Sequence, residues 1–372
     1  MEFTPSEEQV FVREVASQIL DDQFSDDALA AFDVSGETMH REAWGHLAEA
    51  GLLGLALPEA VGGMALGLME LLVLVEEVGR TIAPVPITPT LVLGALPISE
   101  FGTEDQRAAL LAGVADGETV LTAALADAGA ADPHAAATTA RVEGGGWVLD
   151  GVKVAVPALT AARTVLVPAQ TPDGVQCFAV DTSQGGVTVT PQQLMNDEWV
   201  GELSLEAVHV LDSARLAGLT VDWLIDRAHL AQAAEILGMG RTALALTAAY
   251  TGTRHQFGMP IGAFQAVQQR AADMYIALQA LEVALLQAAW RTANGLPADR
   301  ETRIARYWAG HSGHHIVSAA THLHGGMGFD RDYALHRYYL RTKRLEFSLR
   351  GAGAQLEALG RWIVEHGTTQ RR

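Results

Sequence analysis

The hydrophobic positions change period twice along the chain. Up to about residue 121 they recur at helical spacing: Phe11, Val15 and Ile19 fall every four residues between Glu7 and Leu20, Val12 and Leu20 share their face, and Ser6 is placed to cap the start. The same reading predicts helices from about Met39 to Ala50, from about Leu66 to Gly79 after the Gly62-Gly63 turn, and from a Thr103 cap through Leu111. Short connections between them predict a bundle. Between about 122 and 212 the texture becomes short β-prone runs: Trp147 to Gly151, Thr164 to Val167, Cys177 to Val180, Val187 to Thr190 and Leu203 to Leu211, separated by Gly, Pro, Asp and Asn. Their regular spacing predicts a small antiparallel barrel or sandwich. Helical period then returns in four long segments, Asp222 to Gln256, Gly262 to Asn294, Asp299 to His324, and much of Tyr333 to the C-terminus. The expected fold class is α+β and multidomain, with an N-terminal helical domain over 1–121, a middle β domain over 122–221 and a C-terminal four-helix domain over 222–372.

Charge narrows the partners. The 372 residues carry 25 Lys plus Arg against 44 Asp plus Glu, a formal net charge of −19, which argues against a nucleic-acid binder because a polyanion would be repelled. An apolar content of 49% with 19% charged residues is that of a globular chain. The most apolar stretch, Leu66 to Val75, contains Glu70 and ends at Glu76 and Glu77, too short to span a bilayer, so no membrane association is expected. Cys177 is the only cysteine, which excludes an intrachain disulfide and a cysteine-built metal site; with an acidic N-terminus where a signal peptide would be basic, this predicts a cytoplasmic protein.

Three stretches add specificity. The first is Trp44-Gly45-His46-Leu47-Ala48-Glu49-Ala50-Gly51-Leu52-Leu53-Gly54 followed by Leu57-Pro58-Glu59-Ala60-Val61-Gly62-Gly63 and Glu76-Glu77-Val78-Gly79-Arg80. The second is Arg254-His255-Gln256-Phe257-Gly258-Met259-Pro260-Ile261 with Phe264-Gln265 and Ala272-Asp273-Met274, and the third is His324-Gly325-Gly326-Met327-Gly328-Phe329. In this order, on this succession of domains, they resemble the acyl-CoA dehydrogenase family of flavoproteins over nearly the whole chain. The resemblance implies an FAD between the β domain and the C-terminal helices, its pyrophosphate reaching the C-terminal bundle of a neighbouring subunit. For that contact Arg254 offers a cationic fork, Phe257 and Gln265 can pack against and hydrogen-bond the dinucleotide, and Gly325, Gly326 and Gly328 allow close backbone approach. Read without the resemblance, Arg254 is a helix-end residue and the glycines end a helix. Also implied are acyl-CoA as substrate, loss of hydrogen from Cα and Cβ of the thioester, a tetramer, and an electron-transfer flavoprotein or similar acceptor.

Two departures from the family pattern bear on function. The base is usually a Glu about twenty residues after the Gly-Gly-X-Gly-Phe motif, where Leu349 stands, or about 29 residues before Phe257, where Ala228 stands. Glu346 and Glu235 are the nearest carboxylates in sequence, and the role of a solvated or ion-paired helix Glu is expected for each, as for Glu346 beside Lys343. The flavin-lining segment, usually Leu-Thr-Glu-Pro then Gly-Ser-Asp, reads Leu125-Ala126-Asp127-Ala128-Gly129-Ala130-Ala131-Asp132-Pro133, and Ala155 and Pro157 replace an aromatic and a Thr. The flavin cradle is eroded and the pyrophosphate side retained, as in the base-less subunit of hetero-oligomeric members. A self-sufficient enzyme with a displaced Glu is the alternative. From other classes come a metal site on His311, His314, His315, His322 and His324, disfavoured for want of a His-Glu-X-X-His pattern, and a scaffold using Gly238 and Gly240 on the apolar helix Leu230 to Tyr250 for subunit packing.

Overall fold

The computed structural model describes residues 3–130 and 132–367. The chain runs through α1 (Glu7–Gln23), α2 (Asp26–Ser35), α3 (Arg41–Glu49), α4 (Leu68–Thr81), a π-helical segment Thr88–Ala95, α5 (Leu96–Phe101) and α6 (Glu104–Leu110). Strands follow: β1 (Leu121–Ala123), β2 (Thr139–Glu143), β3 (Gly146–Pro157), β4 (Thr164–Thr171), β5 (Gly174–Asp181), β6 (Val187–Gln193) and β7 (Trp199–Leu211). Then come α7 (Val221–Thr253), the two-residue strands β8 (His255–Gln256) and β9 (Met259–Pro260), α8 (Gln265–Ala293), α9 (Asp299–His324), α10 (Leu335–Phe347) and α11 (Ala352–His366). This is the α+β succession that the hydrophobic periods predict.

Ser6 and Thr103 both cap as expected, each accepting a hydrogen bond from the backbone N–H three residues on, at 3.2 Å. Several elements differ from expectation, and three of them have a clear cause. Asp26–Ser35 forms a further helix under its own Ser25 cap. Strand β2 emerges from the end of the Ala-rich stretch, where no β pattern is visible, because it pairs with β3. The long C-terminal segment is two helices. It breaks at Ser348 to Gly351, where Leu349 and Arg350 adopt φ of 47° and 64°, left-handed conformations incompatible with a continuous helix. The last five residues of that expected helix lie outside the described residues.

Strands β1 to β7 form one seven-stranded sheet in the order β1-β4-β2-β3-β7-β6, with β5 on β4, and β8 pairs with β9 in a separate hairpin. Most neighbours are antiparallel, but β4 runs parallel to both β1 and β2, which the short runs in the sequence do not signal. The sheet has its own core around Phe178, Val165 and Leu203, whereas the helices before and after it share a single core. The crossing of α4 and α7 joins those helices. A Cβ on Gly79 would lie 2.2 Å from the Glu235 carbonyl oxygen, and one on Gly238 would lie 2.0 Å from that of Glu76, so only glycine lets the two backbones touch. A Cβ on Gly240 would meet Leu278 at 2.9 Å. Gly238 and Gly240 therefore serve packing inside the chain rather than between subunits, which corrects the basis of the scaffold reading. Glu76 and Glu77 are buried within α4: Arg13 of α1 pairs with both, and Arg241 of α7 bridges Glu76 to Glu282 of α8.

Candidate active site

A cavity of about 550 Å3 lies where the end of α4, the sheet, α7 and the break between α10 and α11 meet. Leu349 enters it from the break and Ala228 from α7, so both positions at which the resemblance expects a base face one space. Ala126, Ala155 and Pro157 line it from the sheet. Ala155 and the neighbouring Ala158 have φ of 50° and 51°, a left-handed backbone that neither residue favours. Below them Asp127 and Lys153 form a buried pair at 2.7 Å, and Asp127 also accepts from the Thr138 backbone N–H at 2.9 Å, which ties the 124–128 segment to β3. The cradle's backbone is thus firmly held, while the side chains it offers to a flavin ring are two alanines and a proline.

The carboxylates near this cavity are engaged. Glu235 lines it but accepts from Arg341 Nε at 2.7 Å. Glu346 does not line it and pairs with Lys343 at 2.8 Å, the ion-paired role expected of it. The carboxylate that sequence reasoning missed is Glu198, which comes from the loop before β7. It lies 3.0 Å from Arg344 and 3.3 Å from Arg341. Burial alone would raise its pKa, yet Arg344 and Arg341, with the Asn196 amide, hold it down at about 2. No sequence signal exists for this contact, since the residues join only through the packing of the sheet against α10. A carboxylate so strongly acidic is a poor proton acceptor at neutral pH.

A buried cation and a buried neutral imidazole fix the break. Arg306 of α9 is fully buried, and its Nη2 donates to the carbonyls of Leu345 and Ser348, each at 2.8 Å. Burial lowers its pKa to about 10, so it stays charged at neutral pH. His229, the residue after Ala228, faces the Leu349 carbonyl through Nε2 at 3.2 Å. Burial and then Arg306 push its pKa down to about 3, so its ring is neutral and Nε2 can donate.

The residues assigned to the pyrophosphate lie elsewhere. Arg254 caps the C-terminus of α7 through its backbone N–H to Tyr250, and its exposed side chain has no hydrogen-bonding partner among the described residues. Phe257 is 91% exposed on the β8–β9 hairpin, and Gln265 opens α8 on the same exposed stretch. Gly325 and Gly326 are exposed with open space where a Cβ would stand, consistent with close approach by another molecule. Gly328 differs: it is buried, and a Cβ there would lie 2.4 Å from the Thr321 carbonyl oxygen, so close packing within the chain already demands glycine. From Glu235, the cavity-lining residue of α7 nearest to it in sequence, Arg254 lies roughly 28 Å along the helix at 1.5 Å per residue, so it stands well away from this chain's own cavity.

The histidines of α9 do not converge. His324 is buried between Tyr250 and Tyr333, and His311 stacks on Tyr307. Among the described residues no three His, Cys, Asp or Glu side chains are grouped to hold a metal ion, and no helix is long and apolar enough to cross a membrane.

The fold and the cavity define an acyl-CoA dehydrogenase. Family models for the acyl-CoA dehydrogenase N-terminal and C-terminal domains match residues 6–118 and 219–363. The chain belongs to this family of FAD-dependent oxidoreductases, which act on the CH–CH bond of acyl thioesters. It is 35% identical to acyl-CoA dehydrogenase FadE27 of Mycobacterium tuberculosis, with 98% of this chain and 99% of the relative covered, and 34% identical to FadE28 of the same organism, with 97% and 98% covered. Among solved structures it superposes with a TM-score of 0.93 on a Tcur3481-Tcur3483 steroid ACAD variant, at 42% identity, with 98% of this chain and 99% of that one covered. It superposes equally, at 35% identity and the same coverage, on the ChsE4-ChsE5 complex from Mycobacterium tuberculosis.

Proposed function

We propose that this chain is the base-less subunit of a hetero-oligomeric acyl-CoA dehydrogenase, and that it completes the FAD site of a related, base-bearing subunit. The observation that carries this reading is the cavity. Leu349 and Ala228 occupy both base positions, and the carboxylates Glu235 and Glu198 are held by Arg341 and Arg344. The exposed Arg254, Phe257, Gln265, Gly325 and Gly326, none of which lines this chain's own cavity, support a contact with a neighbour's cofactor. FAD supplies the hydride acceptor in the assembled protein. This chain's part is to bind the dinucleotide's phosphates and position them. The likeness to the ChsE4-ChsE5 complex fits such a division. We place the assembly in the cytoplasm as a dimer of dimers, with an electron-transfer flavoprotein or similar acceptor reoxidising the flavin.

The test is to purify the chain alone and with a base-bearing partner, count FAD per chain, weigh both by light scattering and follow bleaching by acyl-CoA. The isolated chain is expected to hold little FAD, and the tetrameric complex to be yellow and reducible. A yellow protein from this chain alone, bleached by substrate, would sink the reading. A second reading rests on Glu235, which does face the cavity. In it the Arg341 ion pair opens and Glu235 takes the α-proton; loss of that bleaching in Glu235→Gln would establish it.

A further inference from the structure

One wall of the cavity carries hydrogen-bonding capacity that the protein leaves unused. Gln232 sits on α7 one turn beyond Ala228, on the same face, and lines the cavity. Only 8% of it is exposed, and its Oε1 has no hydrogen-bond partner. The charged groups nearby are paired: Glu235 and Glu198 with Arg341 and Arg344, and Asp33 with Arg337 at 2.8 Å. Asn196 repeats the pattern, since its Nδ2 donates to Glu198 while its Oδ1, also on the cavity wall, is unpartnered. A buried amide without a partner is destabilising, and such groups are few in native proteins. An acyl pocket needing only to hold hydrocarbon would be better served by Leu or Val at 232.

We propose that this cavity binds an acyl group bearing a hydroxyl remote from its thioester, and that Gln232 is the specificity-determining residue that reads it. A hydroxyl both donates and accepts, so it satisfies the Gln232 amide in either orientation, whereas a plain acyl chain strands the amide. The apolar remainder of the wall, with Leu29, Phe32, Val85, Leu93 and Val154 among its residues, takes the hydrocarbon. The inference rests on the family reading that this cavity is an acyl site; it requires neither a base nor a flavin in this chain.

The test compares octanoyl-CoA and dodecanoyl-CoA with their ω-hydroxy counterparts by calorimetric titration. It uses the full chain in the assembly in which it purifies, counting sites per chain so that a partner's site appears as a class indifferent to residue 232. At this chain's site the better-fitting hydroxylated ligand is expected to bind about tenfold tighter than its parent, the worth of one satisfied buried hydrogen bond. Gln232→Leu should abolish that preference without weakening the parent ligand, and Gln232→Asn, whose shorter amide is displaced, should reduce it. Thermal melts confirm folding, and Gln232→Met stands in where the Leu variant does not fold. Equal affinities in the wild type, or an undiminished preference in a folded Leu or Met variant, would overturn the proposal. A chain that proves fully active alone would end the base-less reading yet leave this preference intact, so the two failures are separable.

Discussion

Arg254 is the residue whose isolation says most. It caps α7 through its backbone alone, and its exposed side chain has no partner among the described residues. With a neighbour's FAD as its partner, Arg254→Ala is expected to cost about 1.5–3 kcal/mol in flavin affinity of the assembled complex, roughly 10- to 150-fold. Arg254→Lys should recover only part, since an ammonium lacks the planar fork, and Leu349→Glu should leave flavin affinity nearly unchanged. Flavin titration with circular dichroism as the folding control decides it; unaltered affinity in a folded Ala variant would leave Arg254 a surface residue. At this scale the sequence revealed what stands at positions found by spacing from glycine-rich motifs, as with Leu349 and Ala228. It was silent on Glu198 and Gln232, because their meaning comes from what faces them across the cavity, and no local pattern encodes that.

Among the elements, the break between α10 and α11 decides the shape of the cavity. Periodicity alone runs through it, since Phe347-Ser348-Leu349-Arg350-Gly351 holds no proline and only one glycine. What ends α10 is tertiary: Arg306, from a helix more than twenty residues earlier, gathers the carbonyls that a continuing helix would have paired internally. Arg306→Leu should strand the Ser348 carbonyl, while that of Leu345 keeps the Ser348 hydroxyl at 3.0 Å, at a cost of about 1–3 kcal/mol and a melting temperature lower by several degrees. It should also open the break to trypsin at Arg350. Arg306→Lys should restore part of the stability by donating to one carbonyl. A variant with wild-type melting and cleavage would show that the break is held by other contacts. Strand β2 teaches the complementary lesson: Thr139 and Val142 favour a strand while Ala140, Arg141 and Glu143 do not, and pairing with β3 decides it.

For the whole molecule, charge sets a pH dependence with two opposing arms. Asp226 on α7 is raised to about 6, first by burial and then by Asp299, with Arg227 and Arg303 only partly offsetting. Its folded pKa lies above the ordinary 3.8, so its contribution is favourable below that value and is lost as pH rises through about 6. Asp226→Asn should therefore stabilise the protein by on the order of 1–3 kcal/mol near neutral pH and by almost nothing under acid conditions. Thermal melts across that range test it, and a gain independent of pH would disprove the assignment. Glu198, held at about 2, and His229, lowered to about 3, act in the opposite sense: their contributions are present above the ordinary values of 4.5 and 6.5 and are lost as pH falls through those folded values.

The glycine-to-backbone contact of α4 with α7 also bears on the order in which the protein is made. Ten residues of α4 are buried in the finished fold, largely against α7, yet residues 82–220 must be translated before α7 begins. At ribosomal rates of about 5–20 residues per second that interval is on the order of 10 s. Throughout it an apolar helix stands outside the exit tunnel with its binding groove not yet synthesised. The sheet, whose core is its own, can close in the meantime. The nascent N-terminal helices are thus the segment for which a holding chaperone has the longest use.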